Sequence, residues 1–189
     1  MMKEGKLIVV SGPSGVGKDT IVNEYIKKHP EDQISVSMTS RPMRDGDIEG
    51  VSYYFKTKEE FEESIIKGDL LEYTLYNGNY YGTPKSEIEE RLKNGINVIL
   101  VIEVVGAQNV KAMMKDKCTL IFILPPSMEE LKNRLVNRGT DSAESINGRL
   151  DIAKEEIKTS KVYDYKIVND DLDKAVNELE NIIKNSINA

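Results

Sequence analysis

The sequence predicts an α/β fold: a three-layer core built on a parallel sheet, with a small antiparallel insertion and a helical lid. Three observations predict it. Apolar runs rich in β-branched residues lack polar alternation, which suits parallel strands covered on both faces. Helix-like stretches separate the later runs. A glycine-rich turn follows the first run directly, and a helix-like stretch follows the turn.

The strand runs are residues 6–10, 97–102, 119–124 and 166–168, with a fifth short run at 33–37. Helical patterns cover 20–28, 58–67, 85–94, 107–114, 128–137, 143–159 and 172–185. Asn94-Gly95 closes one of these with a C-terminal glycine. Ser127 is positioned as an N-cap, with Glu129 and Glu130 in the favourable first turn. Residues 70–76, the pair Asn77-Gly78 and residues 79–81 read as a hairpin with a tight turn.

The turn reads Gly12-Pro13-Ser14-Gly15-Val16-Gly17-Lys18-Asp19-Thr20. Its glycines permit a tight bend and a close backbone approach to an anion. Loop and helix N–H groups then point at phosphates. Lys18 adds a point charge for the outer ones. The core is therefore expected to be of the P-loop type. One position departs from that pattern: the hydroxyl residue expected after the lysine is Asp19, and Thr20 comes next. Asp19 replaces the hydroxyl near a metal, acts through water, or points away.

With 189 residues, the chain has room for one compact domain with an insertion. The expected division is 1–34 for the core with its phosphate loop, 35–83 for the insertion, and 84–189 for the remaining core, with the lid at about 134–150. Hydrophobic residues make up 39% and charged ones 31%, a soluble globular balance. The net charge of -6 argues against broad nucleic-acid binding. Cys118 is the single cysteine, so no internal disulfide and no cysteine metal site is expected; core packing is its expected role. The N-terminal apolar run is too short for a signal peptide, and no segment approaches the ~20 apolar residues of a membrane span. The expected location is cytoplasmic, with no membrane partner. His29, beside Pro30, is expected at the surface.

The middle segment collects most of the tyrosines and two of the three Phe. It carries Arg41 and Arg44 in a polar loop, then Tyr53, then Tyr81. Two arginines and two tyrosines can surround a monophosphate. Glu72 lies in an otherwise apolar strand. It is either an exposed residue of a two-faced strand or a carboxylate that accepts two N–H bonds from a guanine edge. Arg134, Arg138 and Arg149 are either scattered charges at a helix end or a lid that closes on phosphates, for which the planar guanidinium is suited.

Taken together, these motifs resemble the guanylate kinase family over nearly the whole chain. The resemblance rests on Gly12 to Thr20, Ser37 to Tyr53, Gly78-Asn-Tyr-Tyr-Gly82, Arg134-Leu-Val-Asn-Arg138-Gly-Thr, Glu144-Ser-Ile-Asn-Gly-Arg149-Leu and Val168-Asn169-Asp170-Asp171-Leu172. It implies ATP and GMP as substrates, Mg²⁺ with ATP, and ADP and GDP as products. It implies that Arg41, Arg44, Tyr53 and Tyr81 hold the GMP phosphate. Ser37, Glu72 and Thr83 would read guanine, with Glu103 on the same side. Lys18 and the amides of residues 12–20 would hold ATP phosphates. Arg138 and Arg149 would close on the transferring group, and Arg134 and Asn169 would lie on the ATP side. Asp19 is the candidate metal residue. Two family side chains are replaced: an acid by Val101, and the glutamine before Gly106 by Val105. The other reading of the same resemblance is a silent protein-binding module. The retained Lys18 and arginines, and the lack of flanking interaction domains, weigh against it.

Overall fold

The computed structural model describes residues 4–137, 139 and 142–188. In chain order the elements are β1 (Leu7–Ser11), α1 (Lys18–Lys28), β2 (Gln33–Ile34), β3 (Met38–Thr39), β4 (Tyr54–Phe55), α2 (Lys58–Lys67), β5 (Leu70–Tyr76), β6 (Asn79–Pro84) and α3 (Ser86–Lys93). Then come β7 (Val98–Val101), α4 (Val104–Met114), β8 (Cys118–Leu124), α5 (Met128–Asn137), α6 (Ala143–Thr159), β9 (Tyr165–Val168) and α7 (Leu172–Asn188).

The core sheet runs β2-β7-β1-β8-β9, and every pairing in it is parallel. Side chains alternate along β1, as the pleat requires. Ile8 and Val10 face Ile21 and Val22 of α1 and Val176 and Leu179 of α7. Leu7 and Val9 face the opposite way, toward Val104, Ala107 and Val110 of α4. Both faces of the sheet are thus dry, which is why its strands read as unbroken apolar runs. Cys118 packs on the second face as expected, and burial pushes its thiol up to about 11.

The insertion is a second sheet, ordered β4-β3-β6-β5. It has a small core of its own, where Phe61 of α2 packs with Met38 and Leu70 and stacks on Tyr80. Thr57 caps α2 through a reciprocal capping box with Glu60.

Three expectations are corrected. The insertion is mixed, because β3 and β4 run parallel. The long 40–53 loop supplies the crossover that a parallel pair needs. The run at 33–37 contributes only Gln33 and Ile34, and these join the core sheet beside β7. The insertion therefore begins directly after a second core strand. His29 is half-buried, stacked on Tyr25 with ring centroids 4.6 Å apart, and flanked by Glu31 and Glu180.

Candidate active site

β1 ends at the glycine-rich loop, and α1 starts directly behind it. Gly17 is the N-cap of α1, at φ 96, a left-handed conformation that glycine adopts without strain. As glycine, Gly17 has no side chain to cap this helix. Its first N–H groups are therefore available to an anion. Lys18 is buried, and its ammonium donates to the carbonyls of Gly12 (2.6 Å) and Pro13 (3.1 Å). The cation is thereby held over the loop.

Three other groups brace this loop. Asn169 donates to the Val16 carbonyl at 2.8 Å. Arg134 donates to the same carbonyl, to Asn169 O and to Glu130. Both residues also line a hollow of about 490 Å³ beside Gly15, Gly17 and Thr20. Arg149, on α6, donates to the Ser14 hydroxyl and so hooks the α6 helix to the loop. Arg138 lies outside the described residues.

Asp19 and Thr20 diverge. Thr20 faces the hollow of Arg134 and Asn169. Asp19 faces a smaller one, of about 150 Å³, with Ser14, Lys18, Tyr53, Val101 and Glu103. Asp19, Glu103 and Ser14 are oxygen donors, the type that Mg²⁺ prefers. Among the described residues, no group of three His, Cys, Asp or Glu forms a metal cage. The donors fit an ion that keeps waters and shares ligands with bound phosphates.

Across this gap lies the insertion. β5 and β6 pair so that Glu72 stands opposite Thr83, after a register shift between Leu70 and Glu72. Such shifts re-aim side chains. Glu72 is buried, and its Oε1 accepts from Thr83 Oγ1 at 2.8 Å. Burial pushes the Glu72 carboxyl up to about 7, and the Thr83 bond opposes that rise. Glu72 opens into a hollow of about 160 Å³ together with Ser37, Tyr53, Tyr81, Val101 and Glu103.

Arg41 is buried beside this hollow. Its Nη1 lies 2.9 Å from Asp47 Oδ2 and donates to Pro42 O. Its guanidinium sits 5.4 Å from the Tyr53 ring centroid and 5.5 Å from that of Phe55. Tyr53 in turn meets Tyr81 edge-on at 5.9 Å. Burial raises the Tyr53 hydroxyl; Tyr81 adds to this and Arg41 opposes it. Arg44 is exposed, in a turn where its amide donates to Asp47 at 2.8 Å.

The sequence-predicted residues thus fall into two facing groups. Ser37, Arg41, Tyr53, Glu72, Tyr81 and Thr83 gather on the insertion side. Residues 12–19 and Arg149 gather on the loop side. Arg134 and Asn169 lie behind the loop. Two further residues were not legible in the sequence. Asp47 fixes Arg41, and the Arg41 side chain together with the Arg44 amide holds Asp47 below the usual carboxylate range. Glu156 of α6 is half-buried, pushed up to about 7 by burial and by Glu103, with Lys18 opposing. In the sequence it is one of several charges along a Lys- and Glu-rich helix.

The family model for guanylate kinase matches residues 4–186. The chain belongs to the guanylate kinase family. The guanylate kinase of Streptococcus mutans is 52% identical over 186 residues, 97% of this chain and 88% of that protein. That of Oceanobacillus iheyensis is 49% identical over 185 residues, 97% of this chain and 89% of its own. The crystal structure of guanylate kinase from Anaplasma phagocytophilum superposes with a TM-score of 0.80 at 34% identity, covering 97% of this chain and 86% of the other. The guanylate kinase likeness extends through the core sheet, the insertion and the α5–α6 arm.

Proposed function

We propose that the chain transfers the γ-phosphoryl of ATP to GMP, giving ADP and GDP, with the insertion holding GMP and the loop holding ATP. The observation that carries this reading is Glu72, a buried carboxylate paired with Thr83 and open to the same hollow as Tyr53 and Tyr81. A buried acid without a cationic partner is costly unless a ligand pairs with it. The N1–H and 2-amino donors of guanine are that ligand. Arg41, Tyr53 and Tyr81, with Arg44 from the adjoining turn, take the monophosphate. Lys18 and the helix N-terminus take the outer phosphates of ATP.

Phosphoryl transfer depends on alignment and charge neutralisation. The accepting phosphate is itself the nucleophile, and its second ionisation lies near pH 6, so no protein base is needed. Lys18 and Arg149 neutralise the transferring group, and Arg138 is assigned the same task. Closing the insertion and the α6 arm excludes water, which would otherwise be phosphorylated. Mg²⁺ bound with ATP would be met by Asp19, directly or through water, with Glu103 nearby, and would supply charge neutralisation. The reaction is assigned to purine nucleotide metabolism in the cytoplasm. Phosphorus NMR of ATP, GMP and Mg²⁺ with the protein tests this reading. GDP and ADP should appear together; an unchanged mixture would instead favour the silent module.

Two variants probe the assignments. Arg41 makes charge-assisted contacts worth roughly 1.5–3 kcal/mol, so Arg41→Met should weaken GMP binding by about 10–100-fold. Calorimetry showing unchanged GMP affinity would reduce Arg41 to a structural partner of Asp47. Asp19→Ala should raise the Mg²⁺ concentration for half-maximal rate, with GMP affinity unmoved. A lowered melting temperature with an unmoved Mg²⁺ midpoint would make Asp19 only a helix-end charge, worth about 0.3–1 kcal/mol.

A further inference from the structure

Gly106 is the third residue of α4, buried and in ordinary helical conformation. Its backbone does not demand glycine, and glycine is among the poorest helix formers. The reason for it lies outside the helix. A Cβ at this position would stand 2.7 Å from Glu72 Oε2 and 3.3 Å from Glu72 Cδ. The other oxygen, Oε1, is engaged by Thr83. The carboxylate is therefore clasped between a hydroxyl on β6 and the bare Cα of a core helix.

We propose that Gly106 is a positioning residue for base selection, seating the Glu72 carboxylate by leaving open the space that a side chain at 106 would fill. This rests on the reading of Glu72 as the guanine acceptor. Two N–H donors on one base edge need both carboxylate oxygens in a fixed plane. A methyl group on residue 106 would push Oε2 out of that plane. The atom that must yield is the free end of a side chain, so the fold absorbs the change while the recognition geometry does not.

The test is Gly106→Ala in the full chain, with steady-state kinetics and a melting curve. KM for GMP should rise roughly tenfold or more, as for a misplaced charge-assisted pair. KM for ATP and kcat should stay within about twofold, because the phosphate loop is untouched. The melting temperature should hold or rise, since alanine is the better helix former. IMP lacks the 2-amino group, so the preference for GMP over IMP should shrink. Glu72→Asp retracts the carboxylate by one methylene; combined with Gly106→Ala, its effect on KM for GMP should be less than the product of the single effects. A GMP KM within about twofold of the parent's overturns the proposal. So does a fall in melting temperature with both KM values rising together, which marks helix packing. Glu72→Gln run in parallel separates the two layers. If it leaves KM for GMP unchanged, the guanine reading itself fails. If it raises KM while Gly106→Ala does not, only the role of Gly106 fails.

Discussion

Glu72→Gln is expected to lower kcat/KM for GMP by roughly 10²–10³-fold, with KM for ATP almost unchanged. Gln offers one acceptor and one donor where guanine presents two donors. One hydrogen bond loses its charge, and the other becomes a donor–donor clash in a dry pocket. The same change should stabilise the unliganded protein. In the folded state the Glu72 carboxyl lies at about 7, against an ordinary 4.5. The folded state therefore binds the proton more tightly than the unfolded state. Its stability falls as pH rises from about 4.5 to about 7, and the full cost remains above that range. The Gln variant carries no such cost. It should melt roughly 7–14 °C above the parent at pH 8, and most of the gap should close as pH falls toward about 4.5. GMP binding runs in the opposite sense. It needs the ionised carboxylate, so KM for GMP in the parent should climb as pH falls below about 7. The substrate's own phosphate titrates near pH 6 and contributes to that climb. The difference between the parent and Gln profiles isolates Glu72. Superimposable profiles would remove it from the recognition site.

Lys18→Met should reduce kcat by about 10²–10³-fold, the scale of losing a preorganised charge aimed at the transferring group. KM for GMP should barely move, because Lys18 lies across the gap from Glu72 and Arg41. The Gly12 and Pro13 carbonyls, which Lys18 now satisfies, would be left without it. That loss costs about 1–3 kcal/mol and lowers the melting temperature by a few degrees. Rate assays beside melting curves separate the two effects. A kcat within about threefold of the parent's would show that the lysine serves the loop and not the chemistry.

Some elements were legible because one physical signal dominated. β1 and β8 are dry on both faces, so their apolar runs show them directly. α2, α5 and α6 begin at good caps or acidic first turns and follow the expected bounds. Three of the misplaced ends involve residues with two roles. α1 begins at Lys18 and not Thr20, because the loop glycines mask its first turn. α4 begins at Val104 and not Ala107, because Gly106 reads as a breaker, although it lies within the helix. β6 continues through Gly82 to Pro84, two residues that argue against a strand. At Gly82 the neighbouring Glu72 backbone comes close enough that a Cβ would meet it at 2.9 Å. The parallel β3–β4 pair left no trace, since its strands are two residues long and are held by backbone bonds such as Tyr54 N–H to Ser37 O.

The site followed the same rule. The glycine-rich loop is local in sequence, so its spacing sufficed to place it between β1 and α1. Glu72 and Thr83 were each expected at the guanine side only through the family resemblance. Their hydrogen bond was not legible, because the expected strand stopped at Tyr81, short of the register that sets them opposite each other. Asp47 and Glu156 were not legible, because the Arg41 partner of the first and the burial of the second come only with the tertiary structure. Arg134 and Asn169 were expected on the ATP side; they also brace the Val16 carbonyl from behind.

The most direct measurement is coupled ADP release with ATP, Mg²⁺ and each nucleoside monophosphate in turn. The account predicts rapid turnover with GMP and a kcat/KM for AMP lower by on the order of 10⁴-fold, because AMP presents neither of the two base-edge donors that the buried Glu72 carboxylate accepts from guanine. Comparable turnover of AMP and GMP, or none with any of them, would contradict it.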